Sequence, residues 1–218
     1  MAYVKAAERR GQLVAAARVV LARDGVASTT LRAVSSQARV PLGTLHYVFP
    51  SKELLLTAVV EDVRQEVSAV LESVKTDAGL DHAIAAGLES YWQRLVVNDP
   101  GLALMRHELF VYALRTPGLD DLARWQIDGY TRIVAEWSQH AASTAGETCA
   151  VPFDNLARVL VDSVMGLVLH YLADHDQARA RRDLEALIEM LIGLAAVRPA
   201  PSRSNLSSEA ANADRKTH

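Results

Sequence analysis

Apolar residues recur along this chain at intervals of three and four, and no stretch alternates strictly, so the pattern predicts helices almost throughout. Leu13, Ala17, Val20 and Leu21 share one helical face, and Gly25 closes a first helix running from about residue 6. Ser28, Thr29 and Thr30 supply an N-cap for a short second helix that turns Leu31 and Val34 inward and ends near Gln37. Pro41 fits the first turn of a third helix, where its missing N–H is harmless. That helix must end near Tyr47, because Pro50 disfavours helical geometry at Phe49. Ser51 then caps a long fourth helix reaching about Lys75, with Glu61, Arg64 and Glu72 on its exposed face.

Five further helices follow. The fifth carries Ile84, Leu88, Tyr91, Trp92 and Leu95, and Asp99-Pro100 caps a sixth ending near Arg115. Thr116-Pro117 repeats the device for a seventh, which carries Leu122, Trp125, Ile127, Tyr130, Val134 and Trp137. The last two cover about 153–173 and 178–197, and the polar segment 198–218 has the composition of a disordered tail. The expectation is an all-α fold of about nine helices: a three-helix unit over residues 1–58 and a larger helical body over 59–197.

Charge divides the chain at the same place. Residues 1–58 carry a net charge of +5 and the remainder −8, giving the total of −3. A polyanion is attracted to the first quarter and repelled by the rest. No run reaches the roughly 18–20 uninterrupted apolar residues of a membrane span, and the first residues lack a secretion-signal pattern, so a cytoplasmic location without membrane partners is expected. Cys149 is the only cysteine, which excludes an intrachain disulfide and a multi-cysteine zinc site.

Three short helices with a tight turn before the third meet the requirements of a helix-turn-helix. In the stretch RVPLGTLHYVFPSKELL, Leu45, Phe49 and Leu54 have spacings suited to packing, while Gly43 keeps the surface slim where backbone would approach DNA. Thr44, Tyr47 and Lys52 can donate to phosphate oxygens, as can the N–H groups near Thr29 and Thr30.

The run from Thr29 to Val34, followed by Gly43 to Leu55, resembles the DNA-binding signature of the TetR family of bacterial transcriptional regulators. The resemblance implies a double-stranded DNA operator as partner and a repressor released by a small molecule. His46 stands where that family usually has Tyr, and Val48 where it often has His, so Tyr47 is the ring expected at the phosphates. Arg39 occupies a position that often holds Gly, which implies a different turn or a left-handed Arg. Pro41 and Leu42 replace a more usual polar pair, and Leu42 is suited to a thymine methyl.

In the body, the rings and soft residues Tyr91, Trp92, Met105, His107, Phe110, Tyr112, Trp125, Tyr130 and Met165 are candidates to line a ligand pocket. They favour an apolar or aromatic effector with one polar handle, met by His107 or a tyrosine hydroxyl. The last two helices are apolar over wide faces and contain Gly166 and Gly193, which suits a homodimer interface.

A competing reading is a helical ligand-binding or enzymatic dimer whose basic N-terminal segment is structural. His170, Asp174 and His175 could offer metal ligands, but a His and an Asp near a helix end are commonly just solvated. No G-x-S-x-G elbow, H-E-x-x-H or glycine-rich phosphate loop is present, so neither an enzyme nor a cofactor is expected.

Overall fold

The computed structural model describes residues 2–200, apart from the side chains of residues 2–5 and Asp120. The expected tail beyond residue 200 lies outside the described residues.

Among the described residues there are nine α-helices: α1 (Ala2–Asp24), α2 (Leu31–Gln37), α3 (Leu42–Val48), α4 (Lys52–Glu72), α5 (Leu80–Trp92), α6 (Pro100–Arg115), α7 (Asp120–Thr144), α8 (Phe153–Asp174) and α9 (Gln177–Ala195). Their ends follow from local chemistry. The side chains of Thr30, Ser51 and Asp99 accept hydrogen bonds from the backbone N–H groups of Ala33, Leu54 and Leu102. Each such cap stabilises its helix by about 1 kcal/mol. Gly25 ends α1 at φ 79°, a left-handed conformation that costs glycine little. One turn of π-helix, Gln93–Val97, follows α5, and the Asn98 N–H reaches the Gln93 carbonyl.

Several local expectations are corrected. Pro41 precedes α3 as its N-cap instead of sitting in its first turn. Thr116 closes α6 and donates its hydroxyl to the Tyr112 carbonyl, and α7 begins after Leu119 without a side-chain cap. Arg198–Pro199 pairs antiparallel with Glu147–Thr148, so residues 198–200 are ordered against the body. Leu54 is half exposed, whereas Leu55 and Leu56 take the buried positions.

Two apolar cores share α4. The first gathers Leu13, Val20, Val34, Leu45, Phe49, Leu56 and Val63, and it is closed by Met105 and Leu109 of α6 and Leu122 of α7. The second begins at Val67 and continues through α5, α8 and α9. The change of core falls between Val63 and Val67, about two turns along α4 from residue 58. Fully burying a side chain such as Leu45 or Phe49 contributes about 1.5–3 kcal/mol, which fixes α3 against α1, α2 and α4.

Candidate nucleic-acid interface and internal cavity

The turn between α2 and α3 is built on an unusual residue. Arg39 is left-handed at φ 55°, its N–H donating to the Ser36 carbonyl and the Val40 N–H to the Ser35 carbonyl. Those two bonds close a Schellman-type helix end, in which glycine is the common occupant. The turn delivers α3 with Leu45 and Phe49 almost wholly buried and Gly43, His46 and Tyr47 on the outside. Tyr47 is 89 % exposed, which packing alone does not explain for a large ring. Leu42 and Thr44 are half-buried along the same helix, and Pro41 is exposed at its start.

Tertiary structure redistributes the positive charge of this quarter. Arg18 is bound by Asp62 and Glu66, each at 2.7 Å, and Arg23 forks onto Asp24. The Lys52 ammonium donates to the carbonyls of Val26 and Ala27 and lies 4.9 Å from the centre of the Tyr112 ring. The buried Thr29 hydroxyl donates to the Gly25 carbonyl, and that of Thr30 accepts from Ala33. The Lys52 ammonium and the Thr29 hydroxyl both brace the turn that carries α2. Arg32 and Arg39 are exposed, and the Arg10 guanidinium lies over the Phe49 ring at 4.7 Å.

The body contains a cavity of about 70 Å³ between α4, α5, α6, α7 and α8. Of the nine expected pocket residues, Tyr91, His107, Tyr130 and Met165 line it. Trp92 packs edge-on against Tyr171 in the second core, and Met105, Phe110 and Tyr112 belong to the first. Trp125 lies beneath the Arg64 guanidinium, 4.4 Å from its ring centre. Arg64, expected on the solvent side of α4, turns inward instead and crosses Gly129, where any side chain would collide with it.

The polar groups of the cavity extend beyond His107 and the tyrosine hydroxyls. Both ring nitrogens of His107 face backbone carbonyls, of Ala103 and Met165, so neither points unpartnered at a ligand. Arg106 and Gln126 are buried on its wall instead, with Trp137 beside them. The Tyr130 hydroxyl lies near the Gln126 side chain without completing a hydrogen bond, and burial pushes its phenol well above the ordinary range. Sequence periodicity missed Arg106 and Gln126 because their partners come from the π turn and from α6 itself: Arg106 donates to the Leu95 carbonyl, and Gln126 to that of Arg106.

Comparison with known proteins identifies the arrangement. Residues 13–59 match the family described as bacterial regulatory proteins of the tetR family, and residues 80–194, more than half of the chain, match the tetracyclin repressor-like C-terminal domain. The chain belongs to the TetR family of transcriptional regulators. It is 28 % identical over 187 residues to the nicotine-responsive transcriptional repressor HdnoR of Paenarthrobacter nicotinovorans, covering 85 % of this chain and 95 % of that one. It is 29 % identical over 192 residues to the transcriptional repressor KstR of Mycolicibacterium smegmatis, covering 85 % and 88 %. A TetR-family regulator from Rhodococcus sp. has the same fold, with a TM-score of 0.74 and 18 % identity over 87 % of this chain and 99 % of that one. In this TetR-family chain α2 and α3 form the helix-turn-helix, and α5 to α9 make up the tetracyclin repressor-like C-terminal domain.

Among the described residues one helix, Phe153–Asp174, is long and apolar enough by length and composition to cross a membrane, with mean hydropathy 1.5. Leu156, Leu160, Val164 and Val168 on it are buried in the second core. Among the described residues no cluster of three metal-ligating side chains occurs, so His170, Asp174 and His175 do not assemble one.

Proposed function

We propose that the protein is a homodimeric repressor that inserts α3 into successive major grooves of an operator and leaves it when a small, mainly apolar molecule occupies the cavity. The observation carrying this reading is the exposure of Tyr47 beside Gly43 and His46 on a helix whose opposite side is anchored by Leu45 and Phe49. A ring so presented, next to a backbone with no side chain, suits phosphate contact at a groove edge. We assign DNA contact to Tyr47, His46, Gly43, Thr44, Leu42, Pro41 and Arg39, and the domain boundary to the exchange of cores on α4.

The dimer is assigned to α8 and α9. Val159, Gly166, Leu169 and Ala173 form an exposed stripe along α8, and Ala186, Met190 and Gly193 form one along α9. A side chain added at Gly166 or Gly193 would meet nothing within 4 Å, so both glycines leave room for an approaching helix. Apolar stripes of this kind fit a second copy packed as a helical bundle, and such a pairing sets two recognition helices roughly 34–36 Å apart for adjacent grooves. Cytoplasmic residence follows from DNA as the partner, and no catalytic role is assigned.

Selection of genomic fragments by the purified chain, followed by binding measured at increasing salt, tests the reading. Selected DNA should be lost steeply as salt rises, and Tyr47→Ala should weaken binding with helicity and mass unchanged. Absence of sequence preference, or full affinity in Tyr47→Ala, would contradict it. Leu169→Arg with Met190→Arg should yield monomers in light scattering; an unchanged dimer would refute the interface.

A further inference from the structure

We propose that the cavity receives an apolar molecule through a hydrogen-bond acceptor held by Arg106, and that this contact is transmitted to α1 through Glu66 and Arg18. The inference rests on the reading of the cavity as the effector site and adds the class of effector and the route of its signal.

The unpartnered atoms on the cavity wall favour acceptors. Arg106 Nε, Trp137 Nε1, Tyr130 OH and Gln126 Oε1 are enclosed and have no hydrogen-bond partner. Tyr130 and Gln126 lie one turn apart on α7, and a hydroxyl and an amide can each serve the other as donor or acceptor. Arg106 Nε–H and Trp137 Nε1–H can only donate, and a buried donor without an acceptor is costly. The rest of the lining is mostly Val, Leu, Ile and aromatic, so the acceptor must come on an apolar body. Arg106 is the only Arg or Lys in the lining, which contains no carboxylate. A carboxylate or amide oxygen is therefore favoured there and an ammonium group disfavoured.

Arg106 is also joined to the DNA-binding unit. Its Nη1 donates to the Leu95 carbonyl at 2.6 Å, while its Nη2 stands 3.7 Å from Glu66 Oε2. The same Glu66 oxygen accepts from Arg18 Nη2 at 2.7 Å, and Arg18 Nη1 donates to Asp62 at 2.7 Å. One carboxylate oxygen is thus shared between the guanidinium of the cavity and that of α1. The Arg18 side chain is only 17 % exposed, so the connection is partly shielded from salt. An acceptor that draws Arg106 away leaves Glu66 wholly to Arg18 and alters how α1 is held against α4. A coupling of the usual size would change DNA affinity about 5–150-fold.

The test uses the full chain and phenyl, cyclohexyl and naphthyl frames, each as the acetate, the acetamide and the ethylamine. Thermal shift and calorimetry read occupancy without DNA, and anisotropy on a fragment selected by the wild type reads release. The acetates and acetamides should bind and the ethylamines should not. Arg106→Met should weaken that binding roughly ten- to hundredfold. Arg106→Lys, which keeps the charge without the Nε–H, should weaken it too and guards against misfolding. Glu66→Gln frees Arg106 from a competing carboxylate, so it should bind probes at least as tightly as the wild type yet lose most of the probe's effect on DNA. Binding by the ethylamines equal to that by the acetates, affinity that survives both Arg106 variants, or no binding by any probe overturns the acceptor assignment. Full probe-driven release in Glu66→Gln overturns the relay. A wild-type chain that binds probes but no DNA strikes instead at the regulator reading.

Discussion

The ammonium of Lys52 lies 2.7 Å from the carbonyl oxygen of Val26 and 3.2 Å from that of Ala27. The first residue of α4 thereby holds the segment joining α1 to α2, while Glu108 of α6 accepts the Val26 N–H at 3.1 Å from the other side. Two charged side chains from two helices thus grip one short connection, and the orientation of the helix-turn-helix depends on both.

Lys52→Ala should therefore act by misplacing that unit. Loss of hydrogen bonds from a charged donor lowers stability by about 1–2 kcal/mol, read as a shifted urea midpoint. DNA affinity should fall with the salt slope unchanged, whereas loss of a phosphate contact would reduce the slope by about 0.9.

Arg39→Gly should raise stability by about 0.5–1 kcal/mol, because the left-handed penalty of an L-residue exceeds the entropy that glycine loses on folding. Equilibrium urea unfolding reads this directly. The same variant removes an exposed cation beside α3, so its DNA affinity should decrease while its stability increases.

Gly87 lies against Trp137. An added Cβ would fall 2.6 Å from Trp137 Cη2 and 3.0 Å from Cζ2, closer than van der Waals contact allows. Gly87→Ala should cost about 1–3 kcal/mol through overpacking and, by displacing a ring of the cavity wall, weaken any ligand that stabilises the wild type. A thermal melt with and without ligand separates the two effects.

Burial raises the phenols of Tyr91 and Tyr130 above their ordinary value near 10. The folded chain then keeps protons that the unfolded chain releases, so the associated stability is complete below about pH 10 and is lost as pH rises beyond it. Unfolding midpoints collected across that range should decline on the alkaline side. Tyr130→Phe should flatten the decline, and an unchanged alkaline limb would show that Tyr130 is not its source.

How much was legible in the sequence depended on whether the deciding interaction was local. Thr30, Ser51 and Asp99 could be named as caps because each bonds an N–H three residues ahead. Arg39 could be suspected of a left-handed turn because the limit lies in its own backbone. Leu45 and Phe49 could be assigned inward because helical spacing places them on one side, whereas the same spacing misled at Leu54, whose outward position depends on how α4 is rotated against α1.

The sequence by itself determined the all-α class, the order of the helices, the helix-turn-helix and its exposed Tyr47, since periodicity, caps and breaks act over a few residues. Only the tertiary structure decided where the charges went. Arg18 and Lys52 count toward a basic surface in any tally, yet Asp62 and Glu66 claim the first and the Val26 and Ala27 carbonyls the second. Arg106 reads as one more polar position on α6, but folding takes it to the wall of the cavity. Partners distant in the chain made these assignments, and long flexible side chains can satisfy their charge in solvent or inside equally well until the fold supplies a partner.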